Sequence, residues 1–252
     1  MLTWVLLGAA GFVAGAVNAI AGGGTLISFP ALLGTGMDAR VANATNTVAI
    51  WPGSVSSIVA YQRYLVEEKR RAFLLAWPSL LGGLAGSWLL FHTSEQSFRA
   101  VVPWLIVLAC VLLAVQTPVA RWVARRGAGA QAARVPASLY LVQFLISVYG
   151  GYFGAGIGIL MLAAMAIFVP TSLQAANGLK ILFGCVINGV SAVYFAAIGA
   201  VRLPEAGVMA LTSVAGGWVG AHVALRLPPR VMRNVVVAYG LAIAAKLFLD
   251  RR

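Results

Sequence analysis

Two stretches of this chain match each other at a constant offset of 134 residues, without insertion or deletion. Gly22 and Gly24 fall on Gly156 and Gly158, Ala42-Asn43 on Ala176-Asn177, and Ser57 on Ser191. Ser79, Gly82, Gly83 and Gly86 fall on Ser213, Gly216, Gly217 and Gly220. A solenoid needs at least three copies of a shorter period. Two large apolar copies with glycines and amides at matching places are instead the build of many membrane transporters, whose substrate sits between the copies.

The copies are made of long uncharged windows, roughly 2–20, 41–62, 73–91, 100–117, 137–169, 173–198, 206–225 and 234–249. With 61% hydrophobic and 10% charged residues, the composition excludes an ordinary soluble domain. A helix needs about 20 apolar residues to cross the hydrocarbon core, so the expected class is all-α. The expected fold is a polytopic membrane protein of two homologous halves, about four crossings each. The opening segments, 2–34 and 137–169, are too long for one straight crossing and carry glycines near their middles, so each predicts a helix, a break and a second short helix. Gly82-x-x-x-Gly86 and Gly216-x-x-x-Gly220 predict close helix contacts. The first segment lacks a basic n-region and its glycine-rich end recurs in the second copy, so it reads as part of the fold and not as a signal peptide.

These features divide the chain into a first transmembrane repeat at 1–117, a basic cytoplasmic linker at 118–136 and a second repeat at 137–252. Two topologies follow. If each broken segment makes one net crossing, the repeats are parallel, and about twelve of the eighteen basic residues share one side. If each makes two short crossings, the repeats are inverted and the split is about eleven to six. Both put 63–71 and the linker in the cytoplasm, so charge bias does not choose. Basic loops beside apolar segments account for the net charge of +12 through anionic lipid, and no nucleic acid is expected.

The candidate chemistry lies at the breaks and at the helix starts after them. Gly22-Gly23-Gly24 precedes one short helix and Gly154-Ala155-Gly156-Ile157-Gly158 its partner. Such starts offer free N–H groups backed by the positive end of the helix dipole. Glycines that merely permit tight crossings are the alternative. Asn43, Thr45 and Asn46 open the next helix of the first copy, and Asn177 and Lys180 that of the second, with Asn188 two turns on. Lys180 occupies the place of Asn46. A lysine inside an apolar segment marks a functional site by default, against the alternative that it snorkels to the interface. All six carboxylates fall in loops or helix ends. A cation carrier would need one within the membrane, so the embedded charge favours an anion.

No catalytic set, metal site or cofactor is expected. His92 and His222 are isolated, Cys110 and Cys185 sit in apolar helices, and no P-loop, H-E-x-x-H or G-x-S-x-G motif is present.

Gly11 to Tyr61 resembles the opening of the sulfite exporter TauE/SafE family of membrane permeases: a glycine run, a helix with proline, and Ala42-Asn43-Ala44-Thr45-Asn46. Gly150 to Gly199 is similar to its recurring glycine-rich break, Val169-Pro170, Ala176 to Lys180, and Asn188. The second break, Gly-Ala-Gly-Ile-Gly, departs from an unbroken triple glycine. The resemblance implies movement of sulfite, sulfonates or related sulfur anions across the cytoplasmic membrane. The expectation is therefore a secondary permease for a small anion. Its site would use Lys180, Asn46, Asn188, Asn43, Thr45, Asn177, Gly22, Gly23, Gly24, Gly154, Gly156 and Gly158, with access alternating between the repeats. A small-anion channel and a non-transporting assembly or partner protein are the other readings. Expected partners are the anion and the bilayer, and a homo-oligomer is compatible.

Overall fold

Apolar segments in hydrocarbon become helices because a helix satisfies its own N–H and C=O groups within one segment. A computed structural model describes residues 1–20, 23–127, 135–223 and 229–249. Side chains at 19–20, 56–57, 59–60, 127, 220–223 and 229–232 fall outside that description. Gly22, Gly129, Arg134, Arg226, Asp250, Arg251 and Arg252 lie outside the described residues, as do the side chains of Ser57, His222 and Arg230. Among the described residues there are eleven helices and no strand. They are α1 (Leu2–Ile20), α2 (Thr25–Leu33), α3 (Ala39–Ala60), α4 (Gln62–Glu67), α5 (Lys69–His92) and α6 (Glu95–Gly127), then α7 (Ala137–Tyr152), α8 (Ile157–Phe168), α9 (Leu173–Ala197), α10 (Leu203–Val223) and α11 (Pro229–Leu249).

Three of these, α5, α6 (over Glu95–Arg126) and α9, are each long and apolar enough to cross a bilayer alone, and the start of α1 and α8 are shorter apolar helices. α3 carries Asn43, Thr45, Asn46 and Thr47, all buried. Polar side chains point into the protein, while Trp77, Trp88, Trp104, Trp218 and Leu211 stand exposed on the outside. That distribution suits lipid.

Glycine decides which helices meet. A Cβ on Gly82 would lie 2.5 Å from Phe144 O, and one on Gly86 2.0 Å from Val148 O, so α5 and α7 touch backbone to backbone and run parallel. Gly11 against Met209, Gly15 against Ser213 and Gly216 against Phe12 set the same parallel contact between α1 and α10. The first helix of each sequence half therefore packs on a helix of the other half. α3 joins α10 where Ser213 Oγ donates to Ala49 O at 3.0 Å. α9 joins α5 where Ser87 Oγ donates to Ser191 Oγ at 2.7 Å.

The two groups meet along antiparallel pairs. Trp51 Nε1 donates to Cys185 O at 3.1 Å, while Tyr61, past the end of α3, lies on Gly178 near the start of α9. Trp51 and Cys185 are themselves 134 apart. α6 and α11 oppose likewise: Trp104 meets Phe248 edge to face with centroids 5.0 Å apart, Cys110 approaches Val237 O, and Thr117 accepts from Arg233. Helices at equivalent positions thus run in opposite directions, which is the inverted arrangement.

Each glycine-broken segment turns back on itself. A Cβ on Gly24 would lie 2.4 Å from Ala14 O, so α2 folds onto α1. α1 and α3 run alike, as do α7 and α9, and the two hairpins α1–α2 and α7–α8 enter from opposite faces. Among the described residues Arg63, Lys69, Arg70, Arg71, Arg121, Arg125, Arg126 and Arg233 gather at one face, against Arg40, Arg99, Arg202 and Lys246 at the other. Eight against four is the bias a cytoplasmic face shows. At the less basic face Arg40 grips Asp38 at 3.0 Å and donates to Thr93 O, fastening the start of α3 to the α5–α6 turn. Burial would raise the Asp38 pKa, yet the Arg40 side chain and the Arg40 and Val41 N–H groups hold it below its usual value.

Candidate functional site

The two glycine tips converge on one turn of α6. A Cβ on Gly23 would meet Leu113 at 2.7 Å, and one on Gly156 would meet Leu112 at 3.1 Å and Ala109 at 3.6 Å. Gly23, Gly154 and Gly156 have φ of +104°, +80° and +80°, a region that side chains with a Cβ rarely adopt. The tips are pinned differently. Asn18 Oδ1 accepts from Gly23 N and Gly24 N at 3.3 and 3.4 Å, so the first start already has an acceptor. In the second, Tyr149 OH donates to Ala155 O at 2.7 Å and Gly154 N donates to Tyr149 O.

Lys180 lies on the second tip. A Cβ on Gly158 would fall 2.8 Å from Lys180 Cδ and 3.1 Å from its Cγ, so the lysine stem crosses the first turn of α8 in the space that glycine leaves. Its ammonium donates to Asn177 Oδ1 at 2.9 Å, and both residues are half-buried. Among the described residues Lys180 has no carboxylate partner. The start of α8 also carries partial positive charge. Two positive groups side by side in a medium of low dielectric repel, and an anion between them neutralises both.

The first copy uses the same register differently. Asn46 Oδ1 accepts from Ser28 Oγ, its Nδ2 donates to Thr25 Oγ1 at 3.5 Å, and Ser28 Oγ also bonds Gly24 O. The amide thereby ties α3 to α2 as the lysine stem ties α9 to α8. Thr45 Oγ1 accepts from Arg202 N at 3.1 Å. Asn43 Nδ2 donates to Tyr152 O at 3.1 Å, while its buried Oδ1 has no hydrogen-bond partner among the described residues. At the equivalent atom of Asn177 sits the lysine ammonium.

These residues do not form one cluster. Asn46 and Lys180 each precede the Trp51–Cys185 crossing by five residues, and the helices run oppositely. They therefore fall on opposite sides of it, separated along the axes by roughly 15 Å at about 1.5 Å per residue. Lys180, Asn177 and Gly158 group toward the basic face. Asn43, Thr45 and Asn46 group toward the other, where half-buried Asn188 also lies beyond the crossing. Asn18, Thr25, Ser28 and Trp51 had no sequence signal as site residues. Their equivalents are Tyr152, Ile159, Leu162 and Cys185, so the offset that exposes the other pairs passes over them.

The family model of the sulfite exporter TauE/SafE matches residues 7–247. A probable membrane transporter protein of Haemophilus influenzae is 30% identical over 244 residues, covering 96% of this chain and 92% of that protein. The probable membrane transporter protein ORF9 of a Sinorhizobium species is 26% identical over 96% of this chain and 90% of its own length. The probable membrane transporter protein YfcA of Escherichia coli K12 is 24% identical, covering 99% and 92%. With opposed glycine-tipped hairpins, polar helix starts inside an apolar exterior and a match along nearly its whole length, the chain belongs to the sulfite exporter TauE/SafE family.

Proposed function

We propose that this membrane transporter is a secondary carrier of a small anion, a sulfur oxyanion or organosulfonate, bound between Lys180 and the start of α8. The observation that carries the reading is the lysine stem lying across Gly158 at the positive start of α8, its ammonium held by Asn177 and without a carboxylate partner among the described residues. Asn177 orients the ammonium. The N–H groups at the α8 tip supply directional donors, as helix starts do for oxyanions. The cluster of Asn46, Ser28 and Thr25 is the uncharged counterpart on the other side of the crossing. Asn188 lies on the path between them.

Alternating access in this arrangement is a rocking of α1, α2, α3 and α10 against α5, α7, α8 and α9. The sequence halves themselves cannot separate, because α1 and α7 are each locked onto the other half. The basic face is cytoplasmic in this reading, in a cytoplasmic membrane.

Lys180→Gln tests the site. In proteoliposomes the variant should lose saturable sulfite or sulfonate flux and bind about ten- to a hundredfold more weakly, the loss expected of a charged hydrogen bond, while keeping its melting temperature in detergent. Unchanged flux would remove Lys180 from the site. Thermal shifts of the wild-type protein with sulfite, sulfate, thiosulfate and taurine identify the anion. Conductance that does not saturate would mark a channel, and no response to any of them a binding or assembly role.

A further inference from the structure

An amide oxygen shut away from water needs a donor or a cation beside it, because a bare one forfeits the hydrogen bonds it makes in the unfolded chain. Asn43 is 1% exposed and its Nδ2 donates to Tyr152 O at 3.1 Å, yet its Oδ1 accepts from no group among the described residues. The second copy shows what such an oxygen holds. There the equivalent Asn177 Oδ1 accepts from the Lys180 ammonium at 2.9 Å, and position 180 corresponds to Asn46. The first copy thus keeps the acceptor for a cation and lacks the side chain that carries one.

The surroundings of this oxygen suit a positive charge. Tyr152 closes α7, so the carbonyl that Asn43 touches belongs to the last turn, at the negative end of the helix dipole. Half-helix ends of this kind serve cations in other transporters. Asn43 and Asn46 are three residues apart on α3 and share a face. Asn46 is bonded in turn to Ser28 and Thr25, so buried amide and hydroxyl oxygens continue one turn along, with no carboxylate among them. Phe29 meets Phe153 edge to face at 5.5 Å, which brings α2 against the end of α7 beside Tyr152. Arg40, one turn before Asn43, is neutralised by Asp38 at 3.0 Å. The end of α7 takes the part of the carboxylate that the apolar segments lack. Calcium and magnesium are held through carboxylates, whereas neutral oxygens alone suit a singly charged ion.

We propose that Asn43 Oδ1 binds a monovalent metal cation such as sodium, between the C-terminal end of α7 and Asn46, at the place that the Lys180 ammonium takes in the second copy. The site stands whatever Lys180 itself binds. With the ion bound, the two copies carry the same charge at the same register, one tethered to the chain and one free to come and go.

The test is thermal unfolding of the full-length protein in detergent, with sodium chloride titrated against choline chloride at constant total salt and lithium and potassium chloride as further arms. Sodium should raise the wild-type melting temperature by about 2–5 °C, as a ligand of the folded state does. Asn43→Ala should remove that rise. Asn43→Asp, with a charge in place of the amide oxygen, should bind sodium about tenfold more tightly in alkaline buffer. Asn46→Lys copies the second repeat and supplies the ammonium in place of the ion, so its melting should no longer respond to sodium. A wild-type protein indifferent to sodium, lithium and potassium would overturn the proposal and leave Asn43 Oδ1 to a water molecule. An equal rise in Asn43→Ala would overturn it too, since the ion would then lie elsewhere. Should Asn43→Ala fail to fold, Asn43→Asp decides, and no tightening in that variant sinks the site.

Discussion

Gly82 and Gly216 hold equivalent positions and face the same obstacle. A Cβ would come 2.5 Å from Phe144 O in one and 1.9 Å from Phe12 O in the other. A backbone oxygen cannot swing aside as a side chain can, so the helices themselves must part. Gly216→Ala should therefore destabilise the protein by about 1–3 kcal/mol, the usual range for overpacking. In the same helix Gly207 has nothing within 4 Å of its would-be Cβ. Gly207→Ala should be neutral or stabilising by up to about 1 kcal/mol. Melting temperatures of the two variants in detergent decide the matter, and equal melting would show that α1 and α10 do not meet as described. At this scale the sequence was informative about charge and poor about reach. Lys180 was visible because a lysine stands out in an apolar run, but its contact with Gly158 depends on α8 folding back. Asn46 was visible too, yet not its bonds to Ser28 and Thr25, which no repeated position marked.

Among the elements, the hairpins carry the least legible feature. A glycine run announces that a helix breaks, but it allows the chain to continue through the membrane or to return. The return is fixed by contacts that spacing does not reveal: Gly24 against Ala14, and Asn18 Oδ1 over the N–H groups of Gly23 and Gly24. Once α2 and α8 return, every later helix in the second copy runs opposite to its equivalent. The α6–α11 pair offers a direct check. Trp104→Cys with Phe248→Cys, in protein without its native thiols, should be joined by a short bismaleimide. Trp104→Cys with a cysteine at Val235, near the other end of α11, should not be. Parallel helices would give the reverse pattern. Loss of the Ser87–Ser191 hydrogen bond between α5 and α9 should matter little by comparison, about 0.6 kcal/mol for Ser87→Ala.

For the whole molecule, the 134-residue offset showed two copies but not how they are joined. A small-xxx-small motif says that a backbone comes close without saying whose. The exchange of α1 and α7 between halves makes a definite statement about fragments. Residues 1–127 and 128–252, produced separately, should each be degraded or aggregate, because each lacks the partner of its first helix. Produced together they should assemble into a complex that co-purifies through a tag on either one. A stable, monodisperse 1–127 fragment would contradict the exchange.

The pairing of α1 with α10 also sets an order of events during synthesis. About 200 residues must follow α1 before α10 is complete, which at about 5–20 residues per second takes on the order of ten to forty seconds. Throughout that interval the glycine face of α1 stands in the bilayer without its partner. Changes on that face can thus lower the yield of protein during its making, even where the finished transporter would tolerate them.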